Sequence, residues 1–146
     1  MAVPPPKPID PRGPRFNQGV LAVSLLAGFV FDWRPVVPLF AVVLLLGAVG
    51  GSRWGPFLRL YAEVIRPRLA PPAVLEDPRP PRFAASLGVA VLTLAAVAFA
   101  ADAPGLGWGL ALVVAALAGL SATTGLCVGC EIWLFSARRR GVQLAG

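Results

Sequence analysis

Four long apolar runs alternate with short polar breaks along the chain. The runs cover residues 16–31, 36–51, 83–101 and 106–126. As helices, the first two would each be roughly 24 Å long, against about 30 Å for the hydrocarbon core of a bilayer. They are either slightly short spans or a hairpin that does not fully cross, and we favour two spans because Trp33 and Arg34 between them are typical interface anchors. The pattern therefore predicts an all-α, polytopic membrane protein with four transmembrane helices.

Residues 53–69 show a different pattern, in which apolar and polar side chains separate at helical spacing. The apolar positions are Trp54, Phe57, Leu58, Tyr61, Val64 and Ile65, and the polar ones are Arg53, Arg59, Glu63 and Arg66. Such a two-sided helix is typical of a segment that lies in the membrane interface. We predict an interfacial amphipathic helix over 53–69, which Pro67 ends or kinks, and an extended polar connection over 70–82.

The fourth run is too long for one untilted crossing. It meets no charge between Leu106 and Glu131, and with the apolar residues beyond it would be about 46 Å long as one helix. Either the helix breaks near residues 123–125, or the two cysteines that follow lie inside the membrane boundary. Gly125 and Gly129 favour a break or a close helix contact.

Composition supports the membrane interpretation. The chain has 146 residues, of which 57% are hydrophobic and 14% are charged, and its mean hydropathy is +0.75. A soluble domain of this size could not cover so much apolar surface with so few charges. We interpret residues 1–15 as an extended, Pro-rich cytoplasmic tail and residues 16–146 as one four-span domain in a lipid bilayer.

The basic residues are distributed as in a membrane protein. They flank the apolar runs instead of forming a basic face interleaved with aromatics, so the net charge of +6 does not indicate nucleic-acid binding. Residues 1–15, 52–82 and 137–146 together hold 12 of the 13 Lys and Arg residues, and Arg34 is the other. The positive-inside rule then places these segments and both termini in the cytoplasm, and the protein in the plasma membrane.

Cys127 and Cys130 are the only cysteines of the chain, and Glu131 follows them. On a helix their Cβ atoms would be about 5–6 Å apart, close enough for a disulfide after a small adjustment. A cysteine at a helix N-terminus faces unpaired N–H groups that favour the thiolate, whereas Glu131 disfavours it. We predict a redox or sulfur-carrying site with Cys127 as nucleophile, Cys130 as resolving thiol and Glu131 controlling the local charge. The alternative is that the pair only packs a helix contact.

Other chemistry is limited by the residue types present. The chain has no His, so a tetrahedral metal site lacks ligands and a Ser-His-Asp set cannot form. No phosphate-binding Gly loop is present, and we expect neither a metal nor a cofactor. Ser121, Thr123 and Thr124 precede the cysteines by about one turn, and we expect them to bond back to helix carbonyls.

An Asp-Pro-Arg-x-Pro-Arg-Phe pattern begins at Asp10 and recurs 67 residues later at Asp77, each time before an apolar run. One interpretation is a repeat of two hairpins about a two-fold axis along the membrane normal. The plainer interpretation is that Pro and Arg mark the points where helices enter the membrane. The arginines of the pattern would either clamp an anion or anchor the protein at the interface. They are Arg12, Arg15, Arg79 and Arg82.

The order of these motifs resembles the bacterial family called domain of unknown function 4395, whose members are small integral membrane proteins. The resemblance rests on both Asp-Pro-Arg segments, on Arg66-Pro67-Arg68-Leu69 and on Gly125-Leu126-Cys127-Val128-Gly129-Cys130-Glu131. It covers nearly the whole chain. The family brings no established activity, but thioredoxin-like and sulfurtransferase genes often lie near genes of such families, which implies thiol or sulfur chemistry.

These observations lead to two competing functional hypotheses. The first is a membrane thiol-redox or sulfur-handling protein that meets a thioredoxin-like or sulfurtransferase partner in the cytoplasm. The second is a non-enzymatic structural module, or a small-anion transporter or channel, in which the Cys pair only packs. Either protein could form a homo-oligomer.

The predicted topology can be tested by cysteine accessibility. In a chain whose two native cysteines are replaced by Ser, a cysteine introduced by Asp102→Cys should react with a membrane-impermeant maleimide added to intact cells, because this turn lies opposite the basic segments. A cysteine introduced by Arg138→Cys should react only after the membrane is permeabilised. Labelling at position 102 from the cytoplasmic side alone would contradict the topology.

Overall fold

The computed structural model describes residues 6–142, so residues 1–5 of the predicted tail and 143–146 of the predicted domain lie outside the described part. Its helices are α1 (Arg12–Val30), α2 (Val36–Gly50), α3 (Pro56–Leu60), α4 (Arg79–Ala100), α5 (Pro104–Thr124) and α6 (Val128–Arg139). A 3₁₀ turn at Gly51–Arg53 precedes α3, and a π-helical turn at Tyr61–Ile65 and a 3₁₀ turn at Arg66–Arg68 follow it. No β-strand occurs within residues 6–142, and the predicted all-α class is confirmed.

Both Asp-Pro-Arg sequences fold into the same turn at the start of a helix. In the first Asp-Pro-Arg turn (residues 10–12), the carboxylate of Asp10 accepts the backbone N–H of Arg12 at 2.9 Å and its guanidinium at 3.0 Å. In the second Asp-Pro-Arg turn (residues 77–79), Asp77 accepts the backbone N–H of Arg79 at 2.9 Å and its guanidinium at 2.6 Å. Each carboxylate therefore satisfies an N–H that the first turn of a helix would leave unpaired.

At each of these turns a helix begins earlier in the sequence than the apolar pattern predicts. α1 begins at Arg12 and α4 at Arg79, in each case four residues before the predicted span. Residues 12–15 of the predicted extended tail and residues 79–82 of the predicted extended connection are therefore helical. The prolines in these segments do not prevent this, because in the first turn of a helix the missing N–H has no intrahelical partner to lose.

A pair of backbone hydrogen bonds holds the two Asp-Pro-Arg turns side by side. Ile9 donates its N–H to the carbonyl of Glu76 at 2.8 Å, and Glu76 donates to the carbonyl of Ile9 at 2.9 Å, in an antiparallel bridge. Ile9 and Glu76 immediately precede the two aspartates. The bridge therefore sets the distance between the starts of α1 and α4.

Each of the helices α1 and α2 packs mainly against a helix from the second half of the chain. α1 lies mainly against α5, and α4 lies against α2, α5 and α6. The most completely buried large side chains of this core are Leu21, Leu25, Val37, Leu44 and Leu92. At the far end from the Asp-Pro-Arg turns, short turns join α1 to α2 and α4 to α5, and in them Asp32 and Asp102 adopt positive φ angles of 49° and 57°. Asp32 also accepts the indole N–H of Trp108 at 2.9 Å, which ties the first of these turns to α5.

The outward faces of the long helices are apolar. Exposed large side chains include Val23, Val30, Val42, Val49, Leu94, Val97 and Val113. Such a surface is unfavourable in water, whereas lipid chains would cover it in a bilayer. Three described helical stretches are long and apolar enough to cross a membrane: Val36–Arg68, Arg79–Ala100 and Pro104–Thr124. These features support membrane association.

The segment over 53–69 is helical, but in short pieces instead of one regular helix, because proline and glycine interrupt it. The rings of Phe57 and Tyr61 face inward, whereas Trp54 is 55% exposed. Phe57 stacks on Phe40 with ring centroids 5.8 Å apart, and Tyr61 is 5% exposed and donates its hydroxyl to Asp10 at 3.1 Å. Part of the apolar side of the segment therefore packs against the bundle and the first Asp-Pro-Arg turn.

The first Asp-Pro-Arg turn is expected to contribute to stability. Asp10 is 7% exposed, and the Asp10→Ala change removes the acceptor for the N–H of Arg12 and for the hydroxyl of Tyr61. The free energy of unfolding in detergent should fall by about 1 to 3 kcal/mol, the cost of losing a helix cap and leaving donors unpaired. Asp102→Asn, at an exposed turn, is the matched control and should change it by less than about 0.5 kcal/mol. Equal stability of the two variants would rule out this role for Asp10.

Candidate thiol site

Gly125 ends α5 and turns the chain toward the cysteines. Its φ is +77°, in the left-handed region, and its N–H bonds to the carbonyl of Ser121 at 3.0 Å. A Cβ at this position would lie 2.5 Å from Nη2 of Arg15, which reaches the turn from α1. Glycine alone suits both the backbone angle and the contact. Of the two alternatives that the length of the fourth run left open, the structure has the helix break, at Gly125.

Cys127 caps the N-terminus of α6. Its backbone is extended, with φ −99° and ψ 109°, and its Sγ accepts the backbone N–H of Cys130 at 3.3 Å. The backbone N–H of Gly129 helps to lower the pKa of this thiol. Gly129 fixes α6 closely against α4 as well, since a Cβ there would lie 2.7 Å from Cβ of Ala84. The sulfur of Cys127 is thus held at a helix N-terminus, where the N–H groups favour negative charge.

The pKa values of the two thiols are shifted in opposite directions. A hydrogen bond from the Cys130 thiol, backbone N–H groups and the Ser121 hydroxyl outweigh burial and lower the pKa of Cys127 to about 6. The same hydrogen bond, burial and the charge of Cys127 raise the pKa of Cys130. The negative charges of Glu76 and Glu131 raise the pKa of Cys130 further. These shifts favour a thiolate on Cys127 beside a protonated thiol on Cys130 at neutral pH.

Both cysteines are free, half-buried thiols that line a cavity of about 400 Å³, called here the thiol cavity. Its polar side chains are Arg15, Gln18, Glu76, Asp77, Ser121 and Glu131. The cavity lies between the two Asp-Pro-Arg turns and the start of α6, and its volume is in the range that admits a small molecule. Within residues 6–142, no three His, Cys, Asp or Glu side chains form a group that could hold a metal ion.

The structure separates the four arginines that the sequence suggested for anion binding. Arg12 and Arg79 are bonded to the aspartates of their own turns. Arg15 lines the thiol cavity. Arg82 donates to the carbonyl of Val49 at 2.8 Å and lines a second cavity. Each arginine of the pattern therefore has its own surroundings, and the four do not converge on one site.

Two residues of the thiol cavity were not assigned to it by sequence reasoning. Ser121 was expected to bond back to a helix carbonyl, but it lines the thiol cavity, where its hydroxyl helps to lower the pKa of Cys127. Thr123 and Thr124 do bond to carbonyls one turn earlier, at 2.8 and 2.6 Å, as predicted. Glu76 lines the cavity because the bridge to Ile9 holds it there. In the sequence, only its position directly before the second Asp-Pro-Arg turn could have indicated this.

Comparison with known proteins places the chain in a family. The model of the family described as Domain of unknown function (DUF4395) matches residues 9–138. The chain belongs to this family. No curated protein and no solved structure matches the chain. The range matched in this DUF4395 protein begins at Ile9 and ends at Arg138, so it includes both Asp-Pro-Arg turns and the thiol cavity, and it confirms the resemblance drawn from the motifs.

The lowered pKa of Cys127 predicts how alkylation of this DUF4395 protein depends on pH. Because the thiolate is the reactive form, the rate with iodoacetamide should rise about tenfold from pH 5 to pH 7 and then level off. The Cys127→Ser variant retains only Cys130 and should react slowly over this range. A wild-type rate that still climbs steeply above pH 7, as for a free cysteine with a pKa of about 8.5, would show that Cys127 is not activated.

Proposed function

We propose that this DUF4395 protein is a membrane thiol-redox or sulfur-handling protein, in which Cys127 is the nucleophile and Cys130 the resolving thiol. The observation that carries the proposal is the position of the Cys127 sulfur at the N-terminus of α6, 3.3 Å from the backbone nitrogen of Cys130. A thiolate in that position and a protonated thiol three residues later are the groups that thiol–disulfide exchange requires.

The proposed reaction oxidises the dithiol and reduces a disulfide. The Cys127 thiolate attacks one sulfur of a substrate disulfide, forms a mixed disulfide and releases the other half of the substrate as a thiolate. Cys130 then loses its proton and attacks Sγ of Cys127, which closes the intramolecular disulfide and releases the second half as a thiolate. Two electrons pass from the protein to the substrate, and the reverse sequence returns them.

Sulfur transfer would begin with the same nucleophile. The Cys127 thiolate would attack the outer sulfur of a donor persulfide, R–S–SH, and form a persulfide on Cys127 while the donor leaves as the thiolate R–S⁻. A cytoplasmic sulfurtransferase is a protein of the class that carries such a donor, whereas a thioredoxin-like protein would supply the disulfide of the redox reaction.

The first step of the redox reaction prepares the second. While Cys127 is a thiolate, its charge and its hydrogen bond hold the proton on Cys130. The mixed disulfide removes that charge, so the pKa of Cys130 falls and its proton can leave. We propose Glu131, which follows Cys130 and is exposed, as the acceptor of this proton. Glu76 also lines the cavity and is a second acceptor.

The proposed frame for this site is a four-span domain in which α1, α2, α4 and α5 cross the plasma membrane and both termini lie in the cytoplasm. The thiol cavity lies at the end of the bundle where α1 and α4 begin, which this topology places at the cytoplasmic surface. A soluble partner would therefore reach Cys127 from the cytoplasm. Because thiols are kept reduced there, the resting form would be the dithiol.

A two-fold repeat of hairpins is part of the proposed frame. Three observations support it: the two Asp-Pro-Arg turns make the same hydrogen bonds, α1 lies against α5 as α2 lies against α4, and the bridge joins the equivalent residues Ile9 and Glu76. An axis along the membrane normal through the bridge would account for all three. The thiols break this symmetry. Cys127 and Cys130 lie two and five residues after Gly125, whereas the positions two and five residues after Gly51 are Arg53 and Pro56.

The proposal predicts that a mixed disulfide can be trapped. The Cys130→Ser variant should form a stable one-to-one adduct between Cys127 and oxidised glutathione, because no second thiol remains to release it. The wild-type protein should instead pass on to the intramolecular disulfide and retain no glutathione. The Cys127→Ser variant is the matched control and should form little adduct.

Mass spectrometry of the intact, detergent-purified protein without reductant distinguishes these species. Wild-type protein that keeps two free thiols, together with Cys130→Ser protein that forms no adduct, would defeat the proposal. The pair would then serve only to pack α6 on α4, as expected of a structural module or a small-anion transporter.

A further inference from the structure

A second cavity lies beside the thiol cavity and has no cysteine in its lining. Its volume is about 570 Å³, and it is bounded by the first Asp-Pro-Arg turn, the end of α2 and the start of α4. The two cavities share Ile9, Pro14, Gln18 and Pro81 as a common wall. The hairpin of α1 and α2 ends at Gly51, and the hairpin of α4 and α5 ends at Gly125. In each cavity an arginine of one hairpin lies against the terminal glycine of the other: Arg15 against Gly125 and Arg82 against Gly51. The second cavity is thus the counterpart of the thiol cavity with different side chains.

The lining of the second cavity has an excess of positive charge. Lys7, Arg66 and Arg82 contribute to it, and none of the three forms an ion pair with a carboxylate within residues 6–142. Asp10 is the one carboxylate among the described lining residues, and it is already bonded to Arg12. An anion in this cavity would therefore meet cations that no carboxylate neutralises.

Arg82 keeps most of its hydrogen-bonding capacity. Its Nη2 donates to the carbonyl of Val49 at 2.8 Å, and its other side-chain N–H groups have no partner in the described part of the chain. A guanidinium carries five N–H donors in a planar fork that matches the oxygens of a phosphate or carboxylate. The bond to Val49 holds the arginine at the cavity and leaves the remaining donors for a ligand.

The side-chain amide of Asn17 lines the same cavity. Asn17 is 9% exposed, yet its side-chain amide makes no hydrogen bond within residues 6–142. Because no buried side-chain N or O atom within residues 6–142 lacks a partner, the Asn17 amide is open to the cavity and can bond to a ligand or a water molecule there. An oxyanion would accept the N–H groups of Asn17 together with those of Arg82.

We infer that the second cavity binds a phosphate-type oxyanion, held mainly by Arg82 and Asn17. Lys7 and Arg66 add charge that attracts the anion. The recognition chemistry is the same whether the phosphate is free or is the headgroup of an acidic phospholipid, and the half-buried Leu58 in the lining would contact the apolar part of a lipid. The inference does not rest on the thiol chemistry, because it uses neither cysteine.

The first test titrates the full-length, detergent-purified protein with inorganic phosphate at low salt and measures the heat of binding. Arg82→Gln should weaken binding about tenfold, the effect expected for one charge-assisted hydrogen-bonded contact. Arg59→Gln is the matched control, since Arg59 is exposed, pairs with Glu63 and lies outside the cavity, and it should change the affinity by less than about twofold. Asn17→Ala should also weaken binding, although it removes no charge.

The second test identifies the source of the phosphate. Native mass spectrometry follows lipid released with the protein from phosphatidylcholine nanodiscs made with and without phosphatidylglycerol. Retained phosphatidylglycerol that is lost in Arg82→Gln identifies the lipid headgroup, whereas phosphate binding without retained lipid identifies the free anion. If Arg82→Gln does not fold, Lys7→Gln, in the segment before α1, provides the same comparison.

Three results would overturn the inference. The first is that neither phosphate nor phosphatidylglycerol binds. The second is equal binding in the wild type and in the cavity variants. The third is that phosphatidylcholine is retained as well as phosphatidylglycerol. Each of these outcomes would mean that the cations and the amide of the second cavity do not recognise an oxyanion.

Discussion

The thiol site depends on the left-handed turn at Gly125. If α5 continued past Thr124, the backbone N–H groups of Gly129 and Cys130 would be used inside the helix and none would reach a cysteine sulfur. Because the helix stops, a new helix, α6, begins after Cys127, and the backbone N–H of Cys130 in its first turn bonds to the sulfur of Cys127. The contact between Gly125 and Arg15 further ties this turn to α1, so the position of the thiolate is fixed by the bundle as a whole and not by the Cys-x-x-Cys sequence alone.

A similar turn at Gly51 leads to a different chemical environment. Its φ is +57°, and Arg82 lies over it as Arg15 lies over Gly125. The backbone conformation that ends each hairpin is therefore shared, but the side chains that face the two cavities are not. One cavity presents two thiols and nearby carboxylates, and the other presents unpaired cations and the amide of Asn17. Scaffold and chemistry are thus determined by different residues of the chain.

The sequence predicted the helical class and included a break near Gly125 as one of two alternatives, because apolar periodicity and glycine act over short distances. It placed the starts of α1 and α4 four residues too late, because hydrogen bonds from Asp10 and Asp77 extend the helices beyond the apolar runs. These are local interactions, and the capping preference of Asp was a signal that the apolar pattern alone does not contain.

The thiol pair itself was evident from spacing, but its surroundings were not. Glu76 reaches Cys130 through the bridge to Ile9, 67 residues away in the chain, and no local pattern encodes that contact. Ser121 has the sequence context of an ordinary back-bonding serine, and only the turn at Gly125 directs it toward Cys127. Asn17 could not be assigned to a site from the sequence, because it lies close to the charged start of an apolar run, where polar residues are common.

The central claim is that the N-terminus of α6 keeps Cys127 as a thiolate while Cys130 stays protonated. Ultraviolet thiolate absorbance of the reduced, detergent-purified protein, followed during an acid-to-neutral titration, measures this most directly. We expect one thiolate per chain to appear with a midpoint of about 6 and to be absent from the Cys127→Ser variant. Two thiolates that appear together near pH 8.5, about the pKa of an ordinary cysteine, would contradict the claim.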